Sequence, residues 1–269
     1  MRVEDLRQIH DSYDHIYLSP HLDDAALSCG GSIAAHLAQD ARVLVVTLCT
    51  ASPPPEGPFN AVAQEFHADW GLEAADVMAV RLGEELLAME RLGPDFFWAG
   101  MLDAIYRVPH AYTSRETLFS TPVPDDPLHA ELRQLLAALR ARAPHATLYA
   151  PLGVGDHVDH LVAYDAALAT AGPALAFYED VHYVLQPGAL ERRLAAVREP
   201  LAPSLIDISA VLERKIHAIA AYGSQVPELF GGEAQMASQI TAYARSLASD
   251  GGGYFERVWR LSESVKRGV

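Results

Sequence analysis

His15-Ile16-Tyr17-Leu18-Ser19-Pro20-His21-Leu22-Asp23-Asp24 is a strand-like run that ends in one imidazole and two adjacent carboxylates. Gly30-Gly31-Ser32 follows Cys29 and is the expected start of an apolar helix through Ala38. Arg42-Val43-Leu44-Val45-Val46-Thr47 then has the continuous apolar character of a strand buried on both faces of a parallel sheet. Strand, helix and strand make a βαβ unit. In such a unit ligands gather outside the carboxyl ends of the strands, which is where His21, Asp23 and Asp24 fall.

Outward from this unit, the rest of the chain repeats the alternation. Ala51 to Pro58 carries four prolines and a glycine and is expected to be a loop on the same rim. Residues 61–70 read as a helix, Val77 to Val80 as a third strand, and Glu84 to Leu92 as a helix closed by Gly93-Pro94. Phe96 to Asp126 lacks sustained periodicity, as expected of a long irregular lid. His129 to Ala143 is an amphipathic helix, Ala146 to Ala150 a strand, Val158 to Ala171 a helix and Ala174 to Tyr178 a strand. Residues 184–208 give no decided pattern. Helices are expected over Ser209–Tyr222 and 233–249, before the break at Gly251-Gly252-Gly253. The fold expected is α/β: a Rossmann-like, mostly parallel twisted sheet with helices on both faces, and a site at the C-terminal edge of its strands. With no internal repeat and no linker, residues 1–269 are expected to form one domain.

Bulk properties narrow the function. Hydrophobic residues at 50% and charged residues at 20% are those of a soluble globular chain. A formal charge of −15, from 20 basic and 35 acidic residues, excludes nucleic acid as a plausible partner, since phosphate binding needs a dense basic surface. The N-terminus lacks a basic stretch followed by an apolar run, and no window reaches the length of a membrane span, so a cytoplasmic location without membrane insertion is expected. Two cysteines, Cys29 and Cys49, cannot build a thiolate cage, and they read most simply as buried small hydrophobes. Any metal must therefore be held by imidazole and carboxylate.

Such groups recur downstream in Gly155-Asp156-His157-Val158-Asp159-His160, directly after the 146–150 strand and at a helix start. His21, Asp24 and His160 together suit a zinc ion with one position left for water, whose pKa such an ion lowers to about 7. Asp23 would then accept the water proton as general base. His157 and His160, three residues apart, approach the same space if they begin a helix, so one could bind metal while the other faces substrate. Asp159 is expected to orient His157, whose protonated ring would stabilise an oxyanion or protonate a leaving amine. Structural readings compete: a turn in which Asp caps the following helix for His21-Leu22-Asp23-Asp24, an N-cap for Asp156, and a packed aromatic pair for His182-Tyr183. With 12 His and 18 Asp in the chain, His-x-x-His is common by chance, and His-x-Asp-Asp is the informative motif.

Pro20-His21-Leu22-Asp23-Asp24-Ala25 and His157-Val158-Asp159-His160 resemble the two signatures of the PIG-L/LmbE-type zinc-dependent N-acetylglucosaminyl deacetylases, Ala/Ser-His-Pro-Asp-Asp-Glu and His-Pro-Asp-His. Arg81 with Glu84 and Leu92-Gly93, Asp103, and Lys215 with Tyr222-Gly223-Ser224-Gln225 resemble further elements of that family, so the likeness runs from about residue 16 to 225. The resemblance implies metal binding by His21, Asp24 and His160, a base at Asp23, His157 oriented by Asp159, and sugar contacts from Arg81 and Asp103. It implies a zinc or other divalent ion, a small N-acetylated sugar conjugate as substrate, and homo-oligomers among family members. Leu22 replaces a proline and Ala25 a glutamate. Some members carry a tyrosine acid where this chain has Gly155, which would leave acid catalysis to His157 or to a tyrosine of the 106–112 region. The competing reading is a non-catalytic module that binds an anion at the Cys29-Gly30-Gly31 helix start; no Gly-x-Gly-x-x-Gly fingerprint supports it.

Overall fold

Among the described residues (1–72, 76–108, 110–170, 172, 174–249 and 252–262 of the computed structural model) eight strands form one sheet. They are β1 (Arg2–Val3), β2 (His15–Ser19), β3 (Val43–Thr47), β4 (Asp95–Trp98), β5 (Thr147–Pro151), β6 (Leu175–Tyr178), β7 (Leu201–Asp207) and β8 (Phe255–Leu261). The spatial order is β1-β4-β3-β2-β5-β6-β8-β7. β1 to β6 run parallel to their neighbours, while β8 is antiparallel to both β6 and β7. Leu44, Val45 and Val46 of β3 are inaccessible to solvent, as the apolar run requires of a strand covered on both faces.

The helices are α1 (Asp24–Leu37), α2 (Ala61–Asp69), α3 (Val77–Leu92), α4 (Ala104–Arg107), α5 (Arg115–Leu118), α6 (Leu128–Arg142), α7 (Val158–Thr170), α8 (Ala189–Ala196), α9 (Leu212–Ile219), α10 (Val226–Phe230) and α11 (Glu233–Ser246). From β2 the chain moves through α1 to β3 on one side; from β5 it moves through α7 to β6 on the other. Right-handed crossovers in opposite directions put their helices on opposite faces. Accordingly α1 packs with α3 and α9, and α7 with α6. The order of connection reverses between β2 and β5, and a crevice opens at the carboxyl ends of strands at such a switch point. Among the described residues no helix is long and apolar enough to cross a membrane.

Four local expectations are corrected. Val77 to Val80 is the first turn of α3, not a strand; its buried positions Val77, Met78, Arg81, Glu85, Ala88, Met89 and Leu92 follow helical spacing. A four-residue apolar run has too little length to separate the two periods. The strand beside β3 is β4, at the start of the stretch expected to be irregular. β7 and β8 supply an antiparallel edge from segments that gave no strand signal. Finally, α1 begins at Asp24, so Gly30-Gly31 lies inside it. Glycine there disfavours the helix locally, but the tertiary structure needs it: a Cβ on Gly31 would stand 2.8 Å from Ile208 and from Glu256 Oε1, and one on Gly30 3.1 Å from Lys215. The helix expected over 158–171 ends at Thr170, and Ala171 and Gly251 lie outside the described residues.

The Cys29-Gly30-Gly31 segment does hold an anion, and the anion is the chain's own. Glu256 of β8 accepts from the backbone N–H groups of Gly31 (2.9 Å) and Ser32 (2.7 Å), from the Ser32 hydroxyl, and from Lys215 Nζ (2.6 Å). The expected ligand site of the competing reading is filled from within. Beside it, Glu84 accepts from Ser224 N and Oγ, both at 2.7 Å, and Glu85 from Thr47 Oγ1 and Tyr222 Oη. Lys215, Tyr222 and Ser224 thus clip the C-terminal segment onto α1, α3 and the sheet, and bring Gln225 to the crevice.

Candidate metal centre and active-site cleft

The loop after β2 is closed by short polar contacts. Ser19 Oγ donates to His21 O (2.8 Å) and accepts from Ala25 N (2.9 Å) at the helix start, while Asp24 Oδ2 accepts from His21 N (2.8 Å). Neither aspartate is spent on capping α1: Asp23, at the N-cap, makes no side-chain cap hydrogen bond and is held at φ 155°. After β5, Gly153 and Val154 donate their backbone N–H groups to Asp180 Oδ2, both at 2.8 Å. Asp156 stands exposed at φ 63°, which is not the extended geometry of an N-cap. His157 Nδ1 instead accepts from the Asp159 N–H (3.2 Å), two residues into the turn.

The two halves meet. His21 Nδ1, Asp24 Oδ2 and His160 Nε2 form a triangle with every edge 3.3 Å. His160 Nδ1 donates to Asp180 Oδ1 (2.7 Å) and His21 Nε2 to Asp159 Oδ2 (3.1 Å), which leaves the facing nitrogens with free lone pairs. Three acceptors turned on one point repel unless a cation sits among them. Ligands about 2.0–2.1 Å from a tetrahedral ion lie about 3.3–3.4 Å apart, so the spacing fits zinc. Each imidazole is backed by a carboxylate, the usual orienting arrangement for metal-bound histidine. Electrostatics agree: against burial, Asp24 and Asp180 push His160 up to about 10, and Asp103, Asp159 and Asp24 raise His21 well above its ordinary value. A field that draws protons onto both rings draws a divalent cation between them, with release of those protons.

Asp23 and His157 flank this triangle. Burial pushes the Asp23 carboxyl up to about 7, against the pull of Arg81, whose Nη2 lies 3.6 Å away. A carboxylate tuned to neutrality suits a general base. Burial, and then the neighbouring His21 ring, hold His157 well below the ordinary imidazole value, so it is neutral. With Nδ1 accepting from the backbone, its proton is on Nε2. The expected imidazolium is therefore replaced by a neutral N–H donor. The expected carboxylate contact from Asp159 to His157 is also replaced: the Asp159 side chain is engaged by His21, Arg107 Nη2 (2.5 Å) and Ala104 N (3.1 Å), and only its backbone reaches His157.

His21, Asp23, Asp24 and His157 line an open cleft, with Trp70, Phe119, Tyr183 and Glu228 among its other walls. Arg81 and Asp103 both border it. Arg81 is buried under the Trp70 ring, 4.8 Å from its centroid, donates to Leu22 O, and its Nε has no partner among the described residues. Asp103 Oδ1 accepts from Ile105 N, while Oδ2 lies 3.5 Å from His21 Nε2. Tyr106 and Tyr112, considered as acids, are committed to His67 (2.6 Å) and Asp126 (2.9 Å) outside the cleft. His182 and Tyr183 are both a packed pair, with centroids 4.4 Å apart, and part of the rim. Tyr183 occupies the space beside Gly155, where a Cβ would fall 2.5 Å from its ring.

Sequence reasoning missed Asp180, Arg107, Asp126, Trp70 and Phe119. Asp180 alone had a local signal, an acidic pair directly after a strand. The others come from segments whose place in the fold no pattern reveals.

The profile of the PIG-L, GlcNAc-PI de-N-acetylase, family matches residues 16–171. The chain is 32% identical over 226 residues to 2'-N-acetylparomamine deacetylase of Streptomyces fradiae, across 79% of this chain and 74% of that protein. It is 26% identical over 253 residues to 1D-myo-inositol 2-acetamido-2-deoxy-alpha-D-glucopyranoside deacetylase of Mycobacteroides abscessus, across 82% and 85% of the two chains. The crystal structure of the zinc-inhibited form of teicoplanin deacetylase matches with a TM-score of 0.76 and 25% identity, over 92% of this chain and 97% of that one.

Proposed function

The chain belongs to the PIG-L, GlcNAc-PI de-N-acetylase, family, and on that premise we propose that it is a zinc-dependent hydrolase removing an acetyl group from the N-acetylglucosamine unit of a small glycoconjugate. The observation that carries this is the 3.3 Å triangle of His21, Asp24 and His160, of which His21 and Asp24 line a cleft that also presents Asp23 and His157. The relatives named above act on N-acetylated amino sugars, which supports the substrate class. We read residues 1–269 as a single cytoplasmic domain; homo-oligomer formation is testable by light scattering.

His21, Asp24 and His160 hold the ion, which when bound supplies Lewis acidity for the amide carbonyl and lowers the pKa of water. Asp23 takes the proton of the attacking water on its carboxylate and delivers it to the departing nitrogen, so that acetate and a free amine result. Its raised proton affinity suits both transfers. His157 donates Nε2–H to the carbonyl oxygen as negative charge develops there. Arg81 holds the Asp23 carboxylate and, with Asp103, borders the place where sugar hydroxyls bind.

The test is release of primary amine from a panel of N-acetylated glycosides, with and without a chelator. Turnover that is lost to the chelator and restored by zinc is expected. Stoichiometric metal with no release from any N-acetyl substrate would overturn the reaction, and full activity in chelator would overturn the role of the ion.

A further inference from the structure

Arg107, the last residue of α4, touches no part of the cleft, yet its buried guanidinium uses four donors on three partners. Nε and Nη2 donate to the two Asp126 oxygens (2.7 and 2.8 Å), Nη2 also to Asp159 Oδ1 (2.5 Å), and Nη1 to Leu102 O (2.5 Å). Asp126 is itself fixed by Tyr112 Oη and Leu128 N, both at 2.9 Å. The far oxygen of Asp159 is the one that receives His21 Nε2. A continuous buried chain therefore runs from Asp126 through Arg107 and Asp159 to His21.

We propose that Arg107 is a positioning residue of the metal centre: through Asp159 it fixes the orientation of His21 and so sets how tightly a divalent ion is held. The proposal rests on the metal reading given above. Asp159 is almost inaccessible to solvent. Without the Arg107 fork its Oδ1 has no other partner among the described residues, and beside His21 only the Ala104 N–H and the Cys49 thiol, both on Oδ2, oppose rotation of the carboxylate away from His21. His21 then loses the acceptor that turns Nδ1 toward Asp24 and His160. Lysine cannot replace the fork, because a single ammonium cannot span Asp126, Asp159 and Leu102 O in that plane. Arg107 also fastens the segment that carries Asp103 and Phe119 into the cleft, so one residue joins a substrate-facing wall to the metal ligands.

A purely structural role for Arg107 would be to keep that segment in place, and Arg115 provides the control. On the same segment it pairs with Glu65 (2.5 Å) and Asp69 of α2, remote from Asp159. Zn2+ affinity is measured by competition with a chromophoric chelator for wild type, Arg107→Lys, Arg107→Met, Asp126→Asn and Arg115→Ala, with a thermal melt of each apoprotein. Loss of a group that orients a metal ligand weakens binding about 10–100-fold. That loss is expected for both Arg107 variants, a smaller loss for Asp126→Asn, and none for Arg115→Ala. Arg107→Lys and Asp126→Asn keep the test open if Arg107→Met does not fold. Zn2+ binding by both Arg107 variants within about twofold of wild type, or an equal loss in Arg115→Ala, overturns the proposal while leaving the deacetylase reading intact. A wild-type protein that takes up no Zn2+ overturns both.

Discussion

Asp23 and Asp24 are consecutive carboxylates with opposite electrostatic fates. Burial raises both, but two imidazoles outweigh it at Asp24 and hold that carboxyl well below its usual range, whereas at Asp23 burial outweighs the pull of Arg81 and His21 and the carboxyl rises to about 7. One is kept as a permanent anion between the His21 and His160 rings, the other as a proton acceptor near neutrality. Asp23→Asn should therefore retain Zn2+ at wild-type stoichiometry and lose about 10²–10⁴ in kcat, measured by amine release beside metal analysis. Undiminished turnover would remove Asp23 as the base. His157→Ala should likewise keep the metal and lose about 10²–10³ in kcat, the usual effect of removing one oxyanion donor. Its single nitrogen donor is neutral already at pH 7, so wild-type activity should show no loss of a protonated His157 as pH rises above neutrality. At this scale the candidate groups are legible in residue types and spacing: His21, Asp23, Asp24, His157 and His160 all stand in the two sequence motifs. What spacing could not give was the proton on His157 and the partner of Asp159, since both depend on groups brought from Ala104 and Arg107.

Helix α1 carries the site at its first turn and a glycine pair in its middle, and both depend on what lies against it. Gly31 is helical and not needed for any unusual φ; it is there because Ile208 and Glu256 approach to where a Cβ would be. Gly31→Ala should destabilise the protein by about 1–3 kcal/mol through overpacking, read from urea melts, although alanine is the better helix former. A stabilised variant would mean that the neighbours yield freely. Lys215→Met should cost more, about 3–5 kcal/mol, because it leaves the Glu256 carboxylate buried without its cation. The elements were unequally readable. β2, β3, β5 and β6 announced themselves as apolar runs between turn residues, whereas α3 was split because its first turn is as apolar as a strand. β7 and β8 were silent because an edge pair needs only alternate burial on one face.

Across the whole molecule, the end of the sheet opposite the cleft holds a second group of rings. The His15 and His36 imidazoles stack with centroids 3.7 Å apart and planes 7° from parallel; Tyr149 Oη meets His15 Nδ1 (3.3 Å) and Tyr17 Oη meets His36 Nδ1 (2.9 Å). Burial, then His15 and Arg260, lower His36 to about 4, while His15 is lowered by burial against the pull of Asp14. The unfolded chain therefore binds protons more readily than the folded one. The contribution of this stack to stability should be full above about pH 6.5 and be lost as pH drops toward 4, with no further change from His36 below that. Urea melts across this range should show a shallower acid limb in His36→Gln, and an unchanged slope would exclude the stack as its cause. The α/β alternation, the parallel core and the placement of His21, Asp23, Asp24, His157 and His160 after strands are readable in the amino-acid order, because apolar periodicity and turn residues act over a few neighbours. That residues 139 apart form a 3.3 Å triangle with Asp24, that Asp159 serves His21, and that Glu256 fills the competing anion site depend on the packing of distant segments. Those facts follow from the reversal of strand order between β2 and β5 and from where long connections return, which local pattern does not encode.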